Sequence, residues 1–154
     1  MGDRAQVALT ILTVDRERAE NLFDGDEPSY VEDEPESMHV IFTFDEVNYG
    51  TLDFLEELEE AGIPFDSRWE GGDEYGPGFH ACRFAASGEA IRYEVSDEDR
   101  NPDLNTLMAH IDDHNKLKEY ILAHGKSVTP LPWADQEANA KIYRVKKLIN
   151  NGHQ

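Results

Sequence analysis

Eight consecutive residues near the start of the chain, Val7-Ala8-Leu9-Thr10-Ile11-Leu12-Thr13-Val14, carry no charge and are rich in β-branched side chains. Such a run has the pattern of a strand covered on both faces, so the chain must build a sheet around it. Met38 to Phe44 alternates, with Met38, Val40, Phe42 and Phe44 on one face, and is expected to pair beside the first strand. Ile63, Phe65, Ser67 and Trp69 alternate as well, and Phe79 to Ala85 with Ala90 to Val95 read as a hairpin closed at Ser87-Gly88.

Helical spacing fills the intervals. A short helix is expected from an Asp15 cap to Phe23, and a second from about Thr51 to Ala61 that buries Leu52, Phe54, Leu55 and Leu58 and stops at Gly62 and Pro64. Leu104, Leu107, Met108 and Ile111 define one further piece, and Leu117, Tyr120, Ile121 and His124 the next, capped by Asn115 and ended by Gly125. Thr129-Pro130-Leu131-Pro132-Trp133 is a stiff connector that should dock Trp133 on the body. The last helix, about Ala134 to Ile149, is expected to turn Ala138, Ile142, Val145 and Ile149 inward. The expectation is therefore one α+β domain over residues 1–154. It holds a mostly antiparallel sheet of about five strands with helices packed on it, and a helical C-terminal part over 103–150.

The net charge of −19 is unevenly spread. Residues 15–60 hold 17 acidic and 2 basic side chains, whereas residues 101–154 hold 6 and 7. Adaptation to salt or a need for solubility would scatter carboxylates over every exposed face, and the near-neutral last third argues against both. Direct binding of nucleic acid is disfavoured, because phosphates demand Lys and Arg, and a basic partner is the better expectation. A single cysteine, Cys82, excludes an internal disulfide and fits a reducing, cytoplasmic compartment. No segment reads as a signal peptide or membrane span.

Several motifs touch on chemistry. His110 and His114 have the helical spacing of a metal pair, but the apolar period skips between Ile111 and Leu117, so the imidazoles should diverge and no metal is expected. His80 and Cys82 share a strand face, as a base and thiol would, yet Phe79, Ala81 and Phe84 favour a buried structural cysteine. Asp24-Gly25-Asp26 begins like a calcium loop, but Pro35 stands where the bidentate glutamate belongs. Gly71-Gly72-Asp73-Glu74-Tyr75 resembles the diguanylate cyclase signature over five residues. The chain lacks that family's earlier aspartate pair and its N-terminal Leu-Thr-Gly-Leu stretch. No cofactor is expected.

The acidic features remain. On the helix after Gly50, Asp53, Glu56, Glu57 and Glu60 follow the i, i+3, i+4, i+7 spacing of one face, flanked by Glu59. A mobile loop over residues 24–37 adds Glu32, Asp33, Glu34 and Glu36. Rigidly spaced carboxylates engage Lys and Arg as phosphates do. In composition and size the chain resembles the phage- and plasmid-encoded DNA mimics of the anti-restriction and anti-CRISPR kind, and Tyr49 to Phe84 with Thr129 to Gln136 resembles accessory proteins of mobile elements. Those proteins share acidity rather than a motif, so the resemblance implies a mode of action and assigns no residue. It implies a non-enzymatic inhibitor or regulator seated in the basic nucleic-acid-binding cleft of a partner. Two alternatives stand beside it. One is an enzyme or small-ligand protein with a site at the glycine-rich loop, drawing on Arg68, Trp69, Asp73, Glu74, Tyr75 and His80. The other is an interaction subunit of a larger assembly, using the Pro-Leu-Pro-Trp connector and the basic last helix.

Overall fold

The computed structural model describes residues 4–72 and 75–152. Its centre is a six-stranded antiparallel sheet in the order β2-β3-β1-β4-β5-β6, formed by β1 (Arg4–Leu12), β2 (Tyr30–Glu32), β3 (His39–Asn48), β4 (Phe65–Trp69), β5 (Gly78–Phe84) and β6 (Ala90–Ser96). The helices are α1 (Arg16–Glu20), α2 (Leu55–Glu60), α3 (Leu104–Ala109), α4 (His114–Val128) and α5 (Gln136–Asn151). The α+β expectation holds. The sixth strand is β2, which forms inside the segment expected to be a mobile acidic loop: Tyr30 to Glu32 pair with Thr43 to Ile41. Val31 supplies the one apolar contact to the core there, and an ion pair from Arg16 to Asp33 ties down the strand's exit.

The apolar run of β1 lies inside the sheet as expected, but its two faces are unequal. Val7, Leu9 and Ile11 are fully buried with Phe42, Val40, Phe65 and Phe84, whereas Ala8 and Thr10 on the opposite face are only half covered. Helices α1, α2 and α5 close the buried face. α2 is shorter than its apolar pattern predicts, because Thr51 to Phe54 is spent on a turn that follows Tyr49 and Gly50, both at positive φ. A side chain at Gly50 would strike Trp69 at 2.6 Å, so only glycine lets this turn close over the indole. Three cations from elsewhere finish α2: Lys147, Arg18 and Arg144 donate to the carbonyls of Glu60, Ala61 and Gly62. They satisfy helix-end acceptors that have no partner within the helix, at the end where the dipole favours positive charge.

The connector docks as predicted. Arg83 is buried on the second face and donates to the carbonyls of Leu131, Phe65 and Cys82 and to the carboxylate of Asp66. Its guanidinium lies 4.0 Å from the centre of the Trp133 ring, whose edge also meets His39. The chain then crosses the end of the sheet and α5 packs on the other face. There the buried Gln136 accepts from the Phe84 N–H at 2.7 Å and donates to the Phe84 carbonyl at 3.1 Å, as a neighbouring strand would.

This docking rolls α5 away from its expected orientation. Ala138, Ile142, Val145 and Ile149, predicted to point inward, face solvent, and the sheet instead receives Gln136, Ala140 and Tyr143. Unpaired main-chain groups at Phe84 and at the end of α2 need polar partners, and this side of α5 supplies them through Gln136, Asn139, Arg144 and Lys147. α4 departs in smaller ways: Asp113 rather than Asn115 caps it, accepting from the Lys116 N–H, and it continues through Gly125 to Val128. His110 ends α3 and His114 begins α4 across that cap. Among the described residues no helix is long and apolar enough to cross a membrane.

Candidate functional site

The acidic surface gathers at one end of the sheet, and a break in strand register makes it. Between the pairs Val7–Phe44 and Ala5–Val47, Gln6 stands opposite both Asp45 and Glu46, with Glu46 at a φ of 55°. This is a bulge, which turns two adjacent carboxylates outward where regular alternation would hide one. Gln6 donates to Asp45 at 2.9 Å, and hydrogen bonds from Gln6 and Ser29 hold the Asp45 carboxyl below the usual range. Loop residues Asp26 and Glu27 come over this bulge from one side and Asp53 from the other, around a hollow of about 220 Å³ floored by Phe44 and Leu52. Asp24, Asp26, Asp53 and Glu57 rim a second hollow over Phe23 and Phe54.

The floor is rigid. Phe23 meets Phe42 and Phe44 edge-on with ring centres 5.0 and 5.3 Å apart, and lies 4.8 Å from Phe54. Aromatic rings in such contact fix the backbone that carries the acids. No ion pair links Asp24, Asp26, Glu27, Asp53, Glu56 or Glu57 to a cation among the described residues. The one ion pair at this end joins Arg4 to Glu46, and both partners are largely solvated.

The expected partner-binding residues separate into three groups. Asp53, Glu56 and Glu57 belong to this end. Glu60 and Glu59 lie toward the other end of α2, where Lys147 reaches the Glu60 carbonyl and Arg92 comes within 3.9 Å of Glu59. Glu32, Asp33, Glu34 and Glu36 lie at the opposite end of β3, near His39 and Thr13, where Asp33 is paired with Arg16. Asp24, Asp26, Glu27, Asp45 and Glu46 complete the cluster in their place. The adjacent Asp45-Glu46 pair, interrupting an alternating strand, was the available signal.

The second candidate site divides as well. Trp69 and His80 share the buried face with ring centres 4.9 Å apart; Trp69 donates to the Gly76 carbonyl, and His80 Nε2 lies 3.4 Å from the Thr51 hydroxyl. Tyr75 packs against the same core cluster. Arg68 points from the opposite face to Asp97, and Asp73 and Glu74 lie outside the described residues. Ser67, His80 and Glu94 stand in one cross-strand row, in the order of a nucleophile, base and acid. Ser67 is fully buried with no hydrogen-bond partner among the described residues, so the imidazole does not activate its hydroxyl and no substrate reaches it. Burial pushes the Cys82 thiol up to about 12, which leaves almost no thiolate at neutral pH.

The fold and this surface thus define an antiparallel α+β protein with a predominantly acidic, aromatic-backed end. Compared with protein-family models, curated protein sequences and solved structures, the chain matches none.

Proposed function

We propose that the protein is a non-enzymatic inhibitor or regulator that occupies the basic nucleic-acid-binding cleft of a partner protein in the cytoplasm, with carboxylates standing in for phosphates. The observation that carries this reading is the uncompensated cluster of Asp24, Asp26, Glu27, Asp53, Glu56 and Glu57 on a floor of packed phenylalanines. Like charges held close together destabilise the isolated fold by a few tenths of a kcal/mol per helical pair, and a cationic cleft relieves that repulsion. A rigid acidic array also gives up little conformational entropy when bound.

The test is competition. A basic nucleic-acid-binding protein captured at low salt should lose a labelled DNA or RNA duplex to this chain. Affinity should fall by about tenfold or more as salt rises from low to physiological. Reversing Asp26, Asp53 and Glu57 to Lys should abolish the competition with the circular dichroism spectrum unchanged, whereas reversing Glu34 and Glu36 should have a much smaller effect. Competition that survives the first triple reversal sinks the proposal.

A further inference from the structure

Among the described residues the outward stripe of α5 is left largely open to solvent, with Ile142 resting on its own chain at Gly88. Ile142, Val145 and Ile149 are 39%, 48% and 55% exposed, and Leu148 beside them is 73% exposed. With Ala138 they are spaced 4, 3 and 4 residues apart, the spacing of a coiled-coil seam, which fits a second helix better than a flat surface. At Ala138 the stripe adjoins a groove of about 610 Å³ whose apolar lining is Leu12, Met38, Trp133 and Ala138, with Asp135, Glu137 and Lys141 also on its walls. We propose that this tract is the interface of a two-fold dimer in which α5 packs antiparallel against α5 of a second copy.

Three features select a second copy running in that direction. An antiparallel pairing centred between Ile142 and Val145 sets each against the other across the seam, and brings Ala138 opposite Ile149. The small end of one stripe, with its adjoining groove, then receives the bulky end of the other, so a single patch is complementary to itself, as a two-fold interface requires. Lys141 and Lys146 flank the seam. A parallel pairing would bring these two lysines together between copies, whereas the antiparallel one sets Lys141 beside Leu148 and Lys146 beside Asn139. Finally, the charges bordering the tract are of both signs, with Asp135 and Glu137 at the groove and Lys141 and Lys146 along the seam, so the antiparallel pairing brings the lysine-bearing end of one copy toward the carboxylates of the other.

Sedimentation of the full chain tests the proposal independently of any partner. The chain should run as a dimer at micromolar concentration, and replacing Val145 and Ile149 together by Glu should weaken dimerisation by about 100-fold or more. Both side chains are exposed, so the far-ultraviolet spectrum should not change. In a Cys82→Ser background, Ala138→Cys with Ile149→Cys should form a covalent dimer on oxidation, and Ile149→Cys alone should not. A monomeric wild-type chain, a dimer indifferent to the glutamates, or cross-linking of the single cysteine variant would each overturn the interface.

Discussion

At the scale of single residues, the most consequential side chain is Arg83, a buried cation that holds three carbonyls, one carboxylate and the Trp133 ring. Removing one member of a buried charged network leaves its partners without compensation, which typically costs about 3–5 kcal/mol. Arg83→Ala should therefore lower the unfolding free energy measured in urea by an amount in that range and shift tryptophan emission to the red as Trp133 comes loose. Arg83→Lys should recover only part of the loss, since an ammonium cannot span the same set of acceptors. His80 carries a pH dependence. Burial lowers its pKa from the usual 6.5, so on acidification the unfolded chain takes up the proton before the folded one does. Stability should thus fall as pH drops through 6.5 and level off below the folded value, and His80→Gln should flatten that part of the profile in denaturant titrations. A buried arginine and a buried histidine look like surface residues in a sequence; only the strand register reveals them.

Among the elements, α5 depends on Gln136, which pairs with both main-chain groups of Phe84 where the β4 side of β5 runs out of strand. Gln136→Leu preserves the size of the side chain but leaves the buried Phe84 N–H unpaired, at about 1–3 kcal/mol, while the Phe84 carbonyl keeps the hydrogen bond that Asn139 donates. The Phe84 amide should then lose its hydrogen-exchange protection before the rest of β5, which would separate undocking of α5 from global unfolding. Strands β1, β3, β4, β5 and β6 were all legible, because alternation and glycine turns report local geometry directly. The facing of α5 was not, because apolar periodicity identifies a stripe without saying what covers it. Main-chain groups elsewhere in the fold, at Phe84 and at the end of α2, decided which side of the helix turned inward. β2 was missed for a related reason: three residues with one buried valine show too little pattern to stand out from acidic loop.

Across the whole molecule, the sequence indicated that negative charge is concentrated but not where it concentrates. The helix after Gly50 was visible by spacing, while the bulge at Asp45-Glu46 and the return of Asp26 and Glu27 over it depend on contacts distant in sequence. Net charge also makes a prediction for the isolated protein. At −19 the folded chain repels itself, and the repulsion reaches about 30 Å at 10 mM salt but only about 10 Å at 100 mM. Salt also weakens ion pairs, but most of those here have at least one well-solvated partner, and such pairs contribute about 0–1 kcal/mol each. Relief of long-range repulsion should therefore win, and the thermal midpoint should rise between 10 and 100 mM salt. The same change should weaken binding to a basic partner. Opposite signs for the two effects, measured in one salt series by calorimetry and by competition, would separate carboxylates that act on a partner from carboxylates that merely hold surface ion pairs; a midpoint that falls with salt would assign the acidic end to the stability of its own fold.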